Sequence, residues 1–318
     1  MKKHTVVFAA AGIMMGLSAP ASAYVRTRTT AGVPTAWKSP CVTMEFALGA
    51  PPAELDAAAY LDAAQQAGAA WTQASLDGIN GCSNVHMGAE ATADVAGPVG
   101  KDGHNRIIFR QNEWCRDPAP TDGEARCYDR SALAITTVFQ LKNSGEILEA
   151  DIEVNAVNYT WADFVSQPVP ASLKSHDFQG AITHEFGHVL GLEHTCYQPA
   201  YLADGTPVPR PVDNTGSPVP DCSSDNPPSI TDATMYVSVN SPMTELGLRT
   251  LSPDDMQGVC DIYPFSPSFV CTAAATDGGT AGSKGGGCSL SRHPGSESMA
   301  VVLALAALAL SLRRRRGQ

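Results

Sequence analysis

The chain has 318 residues, 43% of them hydrophobic, and a formal net charge of −11 at pH 7. This length allows one large domain or two small ones. Setting aside two lysines in residues 1–23 and four arginines in residues 299–318, the rest carries 32 acidic and 15 basic residues, a charge of −17. So acidic a region repels nucleic acid and anionic lipid, which argues against nucleic-acid binding.

The first 23 residues have the pattern of a secretory signal peptide. Two lysines precede an apolar stretch over Val6–Leu17, and Ala21-Ser22-Ala23 supplies small residues for cleavage after Ala23. The sequence therefore predicts a secreted or cell-surface protein. Residues 24–40 are expected to form an extended lead-in to the folded domain.

Hydrophobic patterning predicts several elements before the central motif. Strands are expected over Val42–Leu48, Arg106–Phe109 and Ile147–Val154, and a buried strand over Leu133–Leu141. An alanine-rich apolar face predicts a long helix over Pro52–Leu76.

The segment Ala181–His194 contains the spacing H-E-x-x-H-x-x-G-x-x-H. His184 and His188 are four residues apart and project from one face of a helix, where they can share a metal ion. Gly191 can adopt a left-handed conformation that ends the helix and returns His194 to the same ion. Asp177 is expected to cap this helix.

Three neutral imidazoles suit Zn²⁺ and leave a fourth position open for water, as in catalytic zinc sites. Glu185 is placed to take a proton from that water, whose pKa zinc lowers to about 7. Two other interpretations are a surface helix with scattered histidines and a structural zinc site. His86, His104 and His176 lack a ligand partner at helical spacing and are expected to be solvent-exposed or incidental.

Beyond the motif, residues 197–230 are rich in Pro, Asp, Ser and Gly. They either shape a substrate cleft or form a solvated insertion. A second helix is predicted over Pro253–Tyr263, with Ser252 as its N-cap.

Nine cysteines in an exported chain predict disulfides. Eight lie in the folded region and leave Cys288 as the odd one. Eight cysteines allow 105 connectivities, of which pairing between sequence neighbours is the simplest. The expected neighbour pairs are 41–82, 115–127, 196–222 and 260–271.

The C-terminal residues divide into a Gly/Ser-rich linker over 266–298, an apolar stretch over 299–312 and the cluster Arg313–Arg316. Gly287-Cys288 ahead of this apolar and arginine-rich end resembles the sorting tails of secreted myxobacterial proteins. A plain tail anchor with an incidental cysteine is the alternative. Either way, membrane contact is expected to be transient or related to sorting.

Several segments together resemble the matrixin branch of the metzincin zinc proteases. Besides the histidine motif, Asp232-Ala233-Thr234-Met235-Tyr236 resembles the Met-turn of that family. The run Leu251–Met256, followed by Gly258 and Tyr263-Pro264, resembles its C-terminal helix. Residues 132–155 resemble two of its sheet strands.

The resemblance implies an α+β catalytic domain over residues 41–265. Its twisted mixed sheet would be accompanied by an N-terminal long helix, an active-site helix and a C-terminal helix. Met235 would pack beneath the imidazoles, and Asp254 and Asp255 would cap the last helix and tie it to the Met-turn. Tyr236 is a candidate for either the substrate pocket or the core.

The resemblance further implies a monomeric zinc endopeptidase, with one catalytic ion and Glu185 as general base. A protein or peptide substrate would add as a strand along the sheet edge. Calcium binding through acids such as Asp151 stays open. The alternatives are a catalytically weak zinc-containing surface binding or adhesion module, and a structural surface protein whose tail is the main functional part.

Overall fold

The computed structural model describes residues 24–47, 51–52, 56–92, 99–116, 126–166, 175–199, 207–237 and 242–271. The chain divides into two units, residues 1–273 and 274–318, and every described residue lies in the first. The signal peptide predicted over residues 1–23, Cys288 and the predicted sorting tail lie outside the described residues. No helix within the described ranges has the length and apolar character needed to cross a bilayer.

The described residues form twelve strands and five helices. The strands are β1 (Val25–Arg26), β2 (Ala36–Trp37), β3 (Cys41–Ala47), β4 (His86–Thr92), β5 (Arg106–Arg110), β6 (Cys115–Arg116), β7 (Arg126–Cys127), β8 (Ala134–Gln140), β9 (Glu146–Asn155), β10 (Thr160–Ala162), β11 (Ser175–Asp177) and β12 (Leu192–Glu193). The helices are α1 (Ala57–Thr72), α2 (Phe178–Val189), α3 (Pro228–Thr231), α4 (Pro242–Gly247) and α5 (Pro253–Ile262).

The main sheet is mixed and has six strands in the described part of the chain. β3 pairs in parallel with β4 and β5, and β5 pairs in parallel with β9. The short β2 pairs in parallel with the start of β9, whereas β8 pairs with β9 in the antiparallel direction. β8 and β4 are therefore at opposite edges of the sheet.

Helices α1 and α2 meet over the same face of this sheet through an aromatic cluster. The ring of Tyr60 in α1 is 4.8 Å from Phe178 in α2 and 5.1 Å from Phe109 in β5. Phe178 is in turn 5.5 Å from Phe109 and 6.5 Å from Phe46 in β3. All four rings are buried, each contributing about 1.5–3 kcal/mol of hydrophobic stabilisation.

The predicted helix over Pro52–Leu76 is shorter in the structure. It begins at Ala57 because the Asp56 carboxylate accepts a hydrogen bond from the Ala59 N–H at 2.7 Å, which caps the helix there. It ends at Thr72.

The prediction of a buried strand over Leu133–Leu141 is wrong in its burial. Strand β8 forms there, but its side chains are half-buried along its whole length. As an edge strand it has sheet on one side only, since within the described residues it pairs with β9 alone. A run of β-branched and apolar residues does not distinguish this position from a central one.

The prediction that residues 24–40 are an extended lead-in holds only in part: two short strands are joined by a turn, in which the Thr29 N–H donates to the Val33 carbonyl at 2.9 Å, and both strands take part in the fold. β1 pairs antiparallel with β12, which places Val25 opposite Glu193. β2 places Ala36 opposite Glu146 at the start of β9. Strand β4 has no counterpart among the predicted elements, because its sequence is rich in Gly and Ala instead of β-branched residues.

Four disulfides join the eight cysteines of the described region. The neighbour pairs Cys115–Cys127 and Cys196–Cys222 are confirmed. The pairs 41–82 and 260–271 are wrong, since the bonds are Cys41–Cys271 and Cys82–Cys260, called here the two long-range disulfides. The fold brings the start of β3 beside the chain that follows α5, with Cα atoms 5.7 Å apart in Cys41–Cys271.

Candidate metal centre

Helix α2 supplies two of the three histidines, and the turn after it supplies the third. Asp177 caps the helix as predicted, its Oδ2 accepting from the Gly180 N–H at 2.8 Å. The helix ends at Val189 with Leu190 as its C-cap, and Gly191 follows with φ +87°. A Cβ at Gly191 would lie 2.7 Å from the Thr35 carbonyl oxygen, so this position requires glycine for both conformation and space. β12 then carries the chain to His194.

The carbonyl groups at the end of α2 are satisfied by side chains from distant parts of the chain. Trp37 Nε1–H donates to the Val189 carbonyl at 2.8 Å, and the Tyr263 hydroxyl donates to the Leu190 carbonyl at 2.9 Å. Helix ends otherwise leave such carbonyls without a partner. These bonds fix the point at which the chain turns toward the third histidine.

The three histidines converge through their Nε2 atoms. His194 Nε2 is 3.2 Å from His184 Nε2 and 3.1 Å from His188 Nε2. Nitrogen ligands at about 2.0–2.1 Å in a tetrahedron around zinc are about 3.3 Å from one another. The spacing and donor type therefore fit a zinc ion. Among the described residues, these histidines form the sole cluster of three or more His, Cys, Asp or Glu ligands.

Backbone carbonyls set the orientation of two of these imidazoles. His184 Nδ1–H donates to the Thr234 carbonyl at 2.6 Å, and His188 Nδ1–H donates to the Leu192 carbonyl at 2.9 Å. A carbonyl only accepts, so the lone pair of each ring is on Nε2, which faces the shared point. His194 Nδ1 is 3.5 Å from the Glu193 carboxylate.

Burial favours the neutral form of His184 and His194. It lowers the pKa of His184, and the neighbouring His188 lowers it further. Burial likewise holds the pKa of His194 well below its usual value. Neutral imidazole is the form that binds a metal.

Glu185 follows the first histidine on α2 and is itself buried. Its Oε2 accepts a hydrogen bond from the Thr136 hydroxyl of β8 at 2.6 Å. Its Oε1 accepts no hydrogen bond from the described residues. Thr136 is a contact that the sequence analysis missed, since strand periodicity does not tell which helix residue a strand side chain meets.

Met235 packs against helix α2 at Gly187. It is 1% exposed, and a Cβ added to Gly187 would overlap its Sδ. The Met235 carbonyl accepts from the Thr195 N–H at 3.1 Å, next to the third histidine. Met235 is thus packed against both segments that carry the histidines.

Asp255 ties α5 to the turn at Thr234 and Met235, the contact that the resemblance implied. Its carboxylate accepts from the backbone N–H of Thr234 at 2.7 Å and of Met235 at 3.2 Å. The same carboxylate forms a capping box with Ser252. Asp254, beside it, is buried in the first turn of the helix.

Tyr236 belongs to a small core of its own. It is buried with Cys196 and Ile230, and its hydroxyl donates to the Ser223 carbonyl at 3.3 Å. Of the two roles considered for Tyr236, core residue and pocket residue, its position favours the core. The Cys196–Cys222 disulfide joins the residue two positions after His194 to the far end of the insertion.

The insertion also contacts the N-terminal segment. Val25 forms a bridge with Asp213, and the Asn214 N–H donates to the Tyr24 carbonyl at 3.0 Å. Residues 200–206 lie outside the described residues. The insertion is therefore joined to the N-terminal segment at Asp213 and Asn214, although most of residues 207–226 are exposed or half-buried.

A buried polar network holds the start of α2. Arg249 donates to the buried Asp177 and, at 2.5 Å, to Asp163. His176 was expected to be solvent-exposed or incidental, but it is 7% exposed and its Nδ1 is 3.0 Å from Glu245 Oε1. His176 pairs with a residue far away in the chain and not with one on the same helix, so residue spacing in the sequence does not predict its partner. His86 and His104 are exposed, as expected.

Asp151 was considered for calcium. Its two carboxylate oxygens accept from the backbone N–H groups of Gly100 at 3.1 Å and Arg106 at 3.0 Å. Burial raises its pKa to about 7, and the neighbouring Glu149 contributes to that shift. Asp151 belongs to no ligand cluster among the described residues, and its bonds give it a structural role.

No family model and no curated protein matches the chain. Among solved structures, it is similar to a chain described as "GM1 bound form of the ECX AB5 holotoxin". That match covers 76% of this chain and 89% of the other, with 13% sequence identity and a TM-score of 0.38. A likeness of that size does not establish a shared fold.

Proposed function

We propose that the chain is a secreted zinc endopeptidase of the metzincin type, related to the matrixins. The observation that carries the proposal is the convergence of three imidazole Nε2 atoms at 3.1 and 3.2 Å, with a buried glutamate directly after the first histidine. Converging lone pairs repel one another unless a cation lies between them. A structural site would close the fourth position with another protein ligand.

His184, His188 and His194 would hold the zinc ion. When bound, zinc supplies Lewis-acid chemistry, lowering the pKa of water and polarising a carbonyl group, which is worth several kcal/mol. Glu185 Oε1 accepts the proton of the attacking water. It then passes that proton to the leaving amine, so the carboxylate ends each turnover in the form in which it began.

The edge strand β8 suits an extended peptide. The Asn155 N–H donates to the Leu133 carbonyl at 2.9 Å, so the main-chain groups of Leu133 face β9. In an antiparallel pair, successive residues direct their main-chain N–H and C=O groups alternately toward and away from the partner strand. The N–H and C=O groups of Ala134, Thr136 and Val138 therefore point away from β9. A substrate strand would pair with these groups beside α2.

Hydrolysis of casein and gelatin by the exported, disulfide-bonded chain tests the proposal. Wild type should cleave both, and phenanthroline should abolish cleavage until zinc is added back. Glu185→Gln should bind about one zinc ion per chain, as a three-histidine site does, and cleave neither substrate. Glu90→Gln is the matched control, since Glu90 is exposed on β4 at the opposite sheet edge.

Two outcomes would contradict the proposal. Wild type that binds zinc but cleaves neither protein would favour the alternative of a zinc-containing binding module. Cleavage that persists in Glu185→Gln would remove this residue from the reaction.

A further inference from the structure

We infer that Thr136 is a positioning residue for Glu185. This inference rests on the proposed function, because it assigns a role within the same site. It concerns a residue that lies outside the histidine motif and about fifty positions before it in the chain.

The contact is a hydrogen bond from a hydroxyl to a carboxyl oxygen. Thr136 Oγ1 is 2.6 Å from Glu185 Oε2 and 3.4 Å from the Glu185 backbone oxygen, so the hydroxyl proton goes to the carboxylate. Because the bond engages Oε2, it leaves Oε1 as the oxygen free to accept a proton.

A glutamate side chain needs such a restraint. It has three rotatable bonds, and its two sp³–sp³ torsions each have three staggered wells, so most rotamers of a free side chain direct the carboxylate elsewhere. Among the described residues, the Thr136 hydroxyl is the sole group that donates to the Glu185 carboxylate. The bond therefore selects one rotamer before a substrate arrives.

The neighbouring threonine supplies a contrast within the same strand. The Thr137 hydroxyl accepts from Arg116 on the disulfide-closed hairpin of β6 and β7, and within the described residues it forms no hydrogen bond with Glu185. Alternation along the strand places the two side chains on opposite faces of the sheet. Thr137→Val therefore removes a hydroxyl from β8 without changing the bond to Glu185.

Steady-state cleavage of a peptide substrate by the full chain tests the inference, with zinc content and melting temperature measured for each variant. Thr136→Val should lower kcat by about tenfold with KM within about twofold of wild type, as for an interaction made on the reacting group and not in substrate binding. Thr136→Ser keeps the hydroxyl and should retain about a third or more of wild-type kcat. Thr137→Val should have the wild-type kcat.

Suppose that Glu185→Gln inactivates the enzyme but Thr136→Val keeps the wild-type kcat. That result would overturn the inference and leave the proposed function intact. Equal losses in Thr136→Val and Thr136→Ser would also overturn it. If Thr136→Val does not fold, Thr136→Ala takes its place. If Thr136→Val and Thr136→Ala both lose activity together with bound zinc, Thr136 has a structural role instead. Wild type without any cleavage would overturn the proposed function and this inference together.

Discussion

Replacing Gly187 with alanine tests how closely helix α2 packs on Met235. A Cβ at this position would overlap the Met235 Sδ and lie 2.9 Å from Trp71 Cζ2. Both neighbours are buried, and Trp71 is held by a hydrogen bond of 2.8 Å from its Nε1 to the Thr183 carbonyl. Neither side chain can move away without breaking other contacts.

The expected cost follows from two opposing effects. Overpacking a filled core costs about 1–3 kcal/mol, and two buried neighbours place Gly187→Ala at the upper end of that range. Alanine is better than glycine in a helix by about 1 kcal/mol. The free energy of unfolding should therefore fall by about 2 kcal/mol, which corresponds to a loss of about 4–8 °C in melting temperature.

Urea unfolding followed by tryptophan fluorescence measures this change. Gly247→Ala is the matched control, because Gly247 is an exposed residue at the end of α4 with no atom near an added Cβ. It should be neutral or slightly stabilising. The double variant Gly187→Ala/Met235→Ala should be less destabilised than the sum of its single variants, since removing the methionine side chain makes room for the new methyl. If Gly187→Ala has the same free energy of unfolding as Gly247→Ala, the close packing of α2 on Met235 is refuted.

Three further predictions concern the remainder of the fold. Asp255→Ala should lower the free energy of unfolding by about 3 kcal/mol in urea titrations, because it leaves two backbone N–H groups of the Met-turn unpaired; a change below about 1 kcal/mol would contradict that role. The pKa of Asp151 is raised to about 7 from 3.8, so its protonated form stabilises the folded protein. That contribution to the free energy of unfolding is fully present below pH 4 and is lost as the pH rises through 7. The free energy of unfolding of wild type relative to that of Asp151→Asn should therefore fall by roughly 4 kcal/mol between pH 4 and pH 8. If this difference does not change with pH, the predicted titration of Asp151 is wrong. Non-reducing peptide mapping should recover the two long-range disulfides, whereas peptides linked by neighbour pairing would contradict the arrangement of α5 on the sheet.

Local spacing accounts for the parts of the site that sequence could predict. His184 and His188 follow from helical periodicity, and Gly191 explains how His194 returns to them. The capping residues Asp177 and Ser252 also act within three or four residues of their own position. Each of these features is decided over a short stretch of chain.

The features that sequence missed depend on segments far apart in the chain. The hydrogen bond from Thr136 to Glu185 joins an edge strand to a helix, and the pair of His176 and Glu245 spans 69 positions. Cys41 pairs with Cys271 because the sheet and the last helix bring them together. Local periodicity contains no information about contacts between segments that are far apart in the chain. The zinc endopeptidase activity stays a prediction until it is measured.

The bond between Cys41 and Cys271 closes residues 41–271 into a covalent ring that contains all three converging histidines. Cutting a ring once opens it but does not divide it. A single proteolytic cleavage in any of its surface loops would leave one connected molecule. Only a reducing agent or a second cut could then separate the histidine-bearing helix from the remainder, so the molecule is built to survive a single cleavage in one piece.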